Sequence, residues 1–310
     1  MARRLRVPGL VDFAWVADPA EIRAIDEHPE VDRRFVPRGP LVNRLVVSRI
    51  RRWFQIDDLP LPSLAPRGDA VRAARQREVA ASLDPMSGRP LWSEGQLVRL
   101  AAFVRGESST DAAAVAVQEI VGRLFFADYT ADGDSWRAAE IIDKLRSGFS
   151  LAEIVWQITG RIRRARALLV DRAQWDRWAM HGTAIGLHGI VHALERMRDL
   201  HSQPDARSLS SETMLGECLA PPRRVPRTVE TTIIGTGIVD GASPGTIIML
   251  ELEASAPGGA SAEMVFMSGH WNQCPAHAFV KALLLAVWTR SFQGRSGDTR
   301  DLPTSSGRAC

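Results

Sequence analysis

The chain has 310 residues, of which 45% are hydrophobic and 24% charged. That supports one large domain or two small ones and excludes a globally disordered chain. The net charge of +3 is small for this length and spread along it, apart from ARRLR, NRLVVSRIRRW and GRIRRARA, so no dense basic face for nucleic acid is expected.

WVADPAEIRAIDEHPEV opens with a short apolar run and then a helix start, with Asp18 as N-cap and Pro19 at the first helical position. The stretch from Pro37 to Asp84 is arginine-rich and broken by LPLPSLAPRG, which reads as a loop. A helical half follows. LWSEGQLVRLAAFVRG, DAAAVAVQEIVGRLFFADY and SWRAAEIIDKLRSG carry apolar residues three and four apart, and Ser93 with Gln96 forms a capping-box pattern. Ser150 to Leu200 reads as two or three helices, the second running roughly from Asp171 to Leu200. SSETMLGECLAPPRR is a short helix stopped by a double proline. VPRTVETTIIGTGI and TIIMLELEAS are rich in Thr, Ile and Val and read as short strands. A small-residue loop leads into FMSGHWNQCPAHAFVKALLLAVW, a turn followed by an apolar helix. The expected organisation is one domain over 1–292, mainly α with a small β-sheet, and a polar, disordered tail over 293–310.

Cys218, Cys274 and Cys310 form no CxxC pair and no even framework, which argues against disulfides and structural zinc and for a reducing, cytoplasmic setting. The basic N-terminus is not followed by an apolar segment of a secretion signal. No apolar run approaches the about 18 residues of a membrane span.

Cys274 has two readings. It is a buried thiol ahead of a core helix, or it is an axial metal ligand at the mouth of that helix. A glycine-bearing loop turns N–H groups toward a sulfur, the following helix N-terminus adds positive potential, and Pro275 suits the first helical position.

The order of helix, double proline, arginine, short strands, cysteine loop and apolar helix resembles the C-terminal half of a cytochrome P-450. Glu217 lies where that family has its Glu-x-x-Arg helix, Arg227 in VPRTV is similar to its propionate-binding arginine, and SPGTIIML resembles its Pro-x-Gly-Thr strand. Phe266, Gly269 and Cys274, followed by Pro275-Ala276, resemble its haem-binding loop, with an alternative register that puts Met267 at the Phe position and Asn272 at a propionate-contacting one. The chain departs from the family in lacking the arginine of Glu-x-x-Arg, where Ala220 stands. It has only a short run of small residues between Ala254 and Phe266, and it is shorter than is usual.

The resemblance implies a reduced cytochrome P-450-like fold, haem b iron held by Cys274, and cofactor contacts from Arg227, Phe266, Gly269, His270 and His277. Trp271 is a second candidate to shield the sulfur, and Trp92 and Arg99 are candidates for a further propionate contact. It also implies a distal helix over AMHGTAIGLHGIVHALERM, where His181, Thr183 and His188 are the catalytic candidates. Gly182 stands in place of the family's acid. Chemistry on a small hydrophobic substrate that begins from a peroxide or hydroperoxide is therefore expected ahead of ordinary monooxygenation driven by a redox partner. Two other readings stay open. The chain is a non-catalytic haem- or partner-binding protein, or His188 and His192, four apart on one helix face, bind a metal.

Overall fold

A computed structural model describes residues 3–147, 151–222, 224–234, 237–255, 265–268 and 270–293. The expected tail lies outside these residues, apart from Gln293, and so does Gly269.

The chain opens with β1 (Arg3–Val7) and β2 (Val11–Val16), followed by α1 (Pro19–Glu27) and β3 (Val31–Asp32). Asp18 caps α1 by accepting the Glu21 N–H, and Pro19 takes the first turn. Two late strands, β6 (Val225–Val229) and β7 (Ile247–Leu250), complete a five-stranded sheet of order β1-β2-β7-β6-β3. Only the β2–β7 pair is parallel. Burial alternates along β2, so Asp12, Ala14 and Val16 face inward. The buried Asp12 carboxylate is neutralised by the Arg4 guanidinium through two bonds of 2.9 Å and accepts the Thr246 hydroxyl at 2.8 Å. Gly245, just before β7, has φ +86°, and a Cβ there would overlap the Arg38 carbonyl, so a side chain is barred twice over.

The arginine-rich stretch holds two helices that apolar spacing did not reveal, α2 (Leu41–Trp53) and α3 (Ala70–Ser82). Their anchors are polar. On α2, the Asn43 amide donates to the carbonyls of Asp12 (2.6 Å) and Gly245 (2.9 Å). On α3, Asp69 caps the start and Gln76 donates to the Gln273 carbonyl at 2.6 Å. The LPLPSLAPRG loop carries the outer strand of a small hairpin, β4 (Gln55–Ile56) with β5 (Leu59–Pro60), and one short 3₁₀ turn.

The helical half contains α4 (Glu94–Val104), α5 (Thr110–Arg123), α6 (Gly133–Ser147), α7 (Leu151–Ile158), α8 (Arg161–Arg172), α9 (Arg177–His181), α10 (Leu187–His201) and α11 (Ser211–Cys218), and α12 (His277–Gln293) is the last element among the described residues. The Ser93–Gln96 capping box is formed at α4. The long helix expected from Asp171 begins instead at Arg177. Gln174 and Trp175 are left-handed (φ 47° and 62°), and Asp176 restarts the chain by accepting the N–H groups of Trp178 and Ala179 at 2.7 and 2.8 Å. Residues Gly182–Gly186, between α9 and α10, form a π-helical turn. Such a turn disturbs the carbonyl ladder. Here the buried Gln118 amide supplies the Thr183 carbonyl with a donor at 2.9 Å, while Gln118 also accepts the Ser135 hydroxyl at 2.7 Å, which ties α5 and α6 to the turn.

Two apolar clusters result. The smaller joins the sheet to α1, through Val16, Ile22, Ile25, Val31, Val229 and Leu250. The larger gathers the helical half, and Cys274 packs against its edge. Among the described residues no helix is long and apolar enough to cross a membrane.

Candidate functional site

The Cys274 loop is a closed turn. Its neck is the bond from the Cys274 N–H to the Phe266 carbonyl (2.8 Å). Inside it, Met267 is left-handed at φ 51°, and successive N–H groups of His270 and Gln273 donate to Met267 and His270 carbonyls at 3.1 and 3.0 Å. The Cys274 carbonyl then accepts the His277 N–H at 3.3 Å as α12 begins. Cys274 is half-buried. The protein packed around the sulfur pushes the thiol pKa up, and a hydrogen bond from the Ala276 N–H pulls it back. The loop therefore crowds the thiol and also aims a donor at it.

Trp271, three residues before the cysteine, is fixed by its ring N–H, which donates to the Asp26 carbonyl at 3.2 Å. The guanidinium carbons of Arg33, Arg67 and Arg72 lie 4.5, 5.1 and 5.2 Å from its ring centre. Arg33 and Arg72 are buried. Loss of water lowers the pKa of both, well below the usual range for Arg33, and Arg227 nearby lowers it further. Arg33 Nε and Nη2 and Arg72 Nε are buried without a hydrogen-bond partner. Buried, unspent N–H groups on charged side chains are costly, by about 1–3 kcal/mol or more each. An anion placed against them relieves that cost.

Arg227, the arginine the resemblance singled out, lies on β6. It is fully buried and committed to Asp26, whose Oδ1 lies 2.7 Å from Nε and 2.6 Å from Nη2. His270 Nδ1 meets the other Asp26 oxygen at 3.1 Å. Asp26 thus joins α1, β6 and the cysteine loop, while Arg33, Arg72 and Arg67 around Trp271 each keep a buried N–H without a hydrogen-bond partner. Arg33, Arg72 and Asp26 escaped the sequence reading. Asp26 does continue the buried Ile22–Ile25 face of α1, which was the available signal.

The remaining loop residues flank the cysteine. His277 Nδ1 lies 3.2 Å from the Cys274 carbonyl oxygen and 3.4 Å from the Gln273 amide, and its ring centre is 6.3 Å from that of buried Phe266. Asn272 is buried with its Oδ1 unpartnered. Glu217 is exposed, and Arg224 pairs instead with Glu251 at 3.1 Å. Trp92 packs on Phe279 of α12, with ring centres 5.9 Å apart, and Arg99 pairs with Glu119 at 3.1 Å.

The other candidates sit on the α9–α10 helix. Thr183 is fully buried and its hydroxyl donates to the Ala179 carbonyl at 2.8 Å. His181 is half-buried at the end of α9. His188 is buried, its ring centre 5.0 Å from that of Trp136. His192 is exposed and lies 3.0 Å from Glu195. His188 and His192 thus meet different surroundings, and no group of three or more His, Cys, Asp or Glu among the described residues is placed to hold a metal ion.

The fit of a haem to this site rests on chain atoms. Cys274 supplies a sulfur with a donor on it at the start of a helix, and Arg33 and Arg72 supply buried unspent N–H groups around Trp271. These fit a thiolate-ligated iron with two anionic side arms.

No family model and no curated protein matches the chain. Solved structures do. CYP175A1 from Thermus thermophillus matches over 93% of this chain and 83% of its own, with 17% identity and a TM-score of 0.61. Cytochrome P450-153 from Novosphingobium aromaticivorans matches over 95% and 86%, with 14% identity and a TM-score of 0.56. The cytochrome P450 enzyme CxnD, for C–S bond formation in chuangxinmycin biosynthesis, matches over 92% and 82%, with 8% identity and a TM-score of 0.59. The chain has a cytochrome P450-like fold, mainly helical with a small mixed sheet.

Proposed function

We infer that the protein is a haem-thiolate enzyme acting on a small hydrophobic substrate, with Cys274 as the axial ligand of a b-type haem. The observation that carries the reading is the half-buried Cys274 with the Ala276 N–H on its sulfur, together with Arg33 and Arg72, which stack on Trp271 three residues before it and have buried N–H groups to spare. Bound there, haem supplies redox and O–O bond chemistry that no side chain offers. The protein's part is to hold the group and move protons. Crowding favours the protonated thiol, so ligation must release that proton, and the Ala276 N–H then stabilises the sulfur anion. Arg33 and Arg72 would hold the propionates, while Arg227 and His270 keep the loop in place through Asp26.

The proton chemistry favours a substrate that brings its own O–O bond. Arg177 to Val191 contains no carboxylate. The Thr183 hydroxyl is spent on the Ala179 carbonyl, and His188 packs on Trp136. His181, half-buried at the end of α9, is the side chain proposed to take and return a proton, which suits rearrangement, dehydration or peroxide-dependent oxidation. Dioxygen activation with an external electron donor asks for more proton delivery than this helix carries.

The test is turnover. Protein made with a haem precursor is given cumene hydroperoxide, and separately a ferredoxin, its reductase and oxygen, each with a panel of apolar substrates. Hydroperoxide loss well above that of free haem, reduced in His181→Ala, is expected. Product only from the reductant and oxygen arm overturns the peroxide reading, and no product from either favours a binding protein.

A further inference from the structure

A cavity of about 310 Å³ lies between α2, the β4–β5 hairpin and the segment after β3. None of the side chains that surround Trp271 or Cys274 lines it. Its walls are carbon from Val36, Phe54, Pro60 and Leu64, and Arg34 and Arg51 also line it. The volume is at the small end of the about 300–1,000 Å³ usual for ligand pockets.

Other arginines of the chain, such as Arg38 and Arg172, are paired with carboxylates, and some, such as Arg44 and Arg77, are not paired among the described residues; what sets Arg34 and Arg51 apart is that they line an apolar cavity. Neither Arg34 nor Arg51 has a hydrogen bond or an ion pair among the described residues. Asp32, the acid nearest Arg34 in sequence, accepts the Arg33 and Arg67 main-chain N–H groups, Asp57 and Asp58, nearest Arg51, form the hairpin turn, and none of the three lines the cavity. An apolar pocket carrying two unpaired guanidiniums matches a molecule with an apolar body and a planar anionic head, because a carboxylate accepts two parallel N–H bonds from one guanidinium.

We propose that this cavity binds an apolar carboxylate, a medium-chain or arylalkyl acid, with its tail against Val36, Phe54, Pro60 and Leu64 and its head between Arg34 and Arg51. The site adjoins the cysteine loop through the chain itself. Arg34 and Pro66 line the cavity, while their neighbours Arg33 and Arg67 stack on Trp271. This inference goes beyond the haem reading and does not depend on it.

The test is calorimetric titration of the full chain with decanoate, decanol and acetate, in wild type, Arg34→Gln, Arg51→Gln and the double variant. Arg34 is exposed and Arg51 half-buried, so these variants keep the fold, which circular dichroism checks. Saturable one-site binding of decanoate is expected, weakened about tenfold in each single variant, as loss of a charged hydrogen-bond partner implies. Decanol, which lacks the charge, and acetate, which lacks the tail, bind far more weakly, and decanol is indifferent to the variants. Decanoate binding that is absent, unchanged in the double variant, or matched by decanol overturns the proposal. Repeating the titration on Cys274→Ser separates this site from the cysteine loop. Equal affinity there supports the cavity even if the haem reading fails, and lost affinity moves the binding to the cysteine loop and sinks the proposal.

Discussion

Asp26→Asn changes one atom type at the point where α1, β6 and the cysteine loop meet. Asp26 and Arg227 are both fully buried, and the carboxylate also meets His270. Asparagine keeps the volume and the main-chain carbonyl that holds Trp271, so the change isolates the charge. Without it, Arg227 is a buried cation with no counter-ion, beside Arg33 and Arg72, which already repel it. Removing one partner of a buried ion pair costs about 3–5 kcal/mol. At about 2–4 °C per kcal/mol for chains of this order, the melting temperature falls on the order of 10 °C. Urea unfolding of wild type, Asp26→Asn, Arg227→Met and the double variant measures it. The double variant is expected to lose less than the sum of the singles, because the methionine removes the orphaned charge. A loss below about 1 kcal/mol for Asp26→Asn, or additive singles, refutes the claim that Asp26 holds the loop through charge.

Other outcomes follow from the packing and the thiols. Gly122 on α5 sits against the Tyr129 ring, and a Cβ there would overlap it. Gly122→Ala should cost about 1–3 kcal/mol by overpacking, and Tyr129→Leu should restore most of it in the urea midpoint. Burial pushes the Cys218 thiol from 9.0 up to about 12. The native thiol then keeps its proton where the unfolded one loses it, so wild-type stability is full below pH 9 and falls as pH rises toward 12. The fall should exceed that of Cys218→Ala by up to about 1.4 kcal/mol per pH unit, and parallel unfolding curves for the two would contradict it. For the same reason, iodoacetamide at pH 8 should leave Cys218 unmodified in native protein, as read by mass spectrometry.

Much of the frame was legible because it is written in local patterns. The Asp18-Pro19 start of α1, the Ser93–Gln96 box of α4, the double proline after α11 and the Thr/Ile/Val runs at β6 and β7 each follow from residues close in sequence. What the sequence hid is long-range and polar. The helices α2 and α3 are arginine-rich, and Asn43 and Gln76 dock them on the carbonyls of distant residues, which no apolar period reports. The restart at Arg177 depends on two non-glycine residues in left-handed geometry, for which residue type gives no warning. At the site, Cys274 was visible from its turn and helix. Arg227 was also singled out, but its cluster with Asp26, Arg33 and Arg72 was not, because Asp26 and Arg227 are 201 residues apart and Asp26, Arg33 and Arg72 each alone read as a solvated charge.

The central claim is that Cys274 carries a haem iron through its sulfur. The most direct measurement is the absorption spectrum of wild type and Cys274→Ser, each expressed with a haem precursor, reduced and exposed to carbon monoxide. A ferrous carbonyl band shifted far to the red in wild type and lost in the variant is the predicted result. Well-folded wild-type protein with no Soret band, or a red-shifted band that survives in Cys274→Ser, would contradict it.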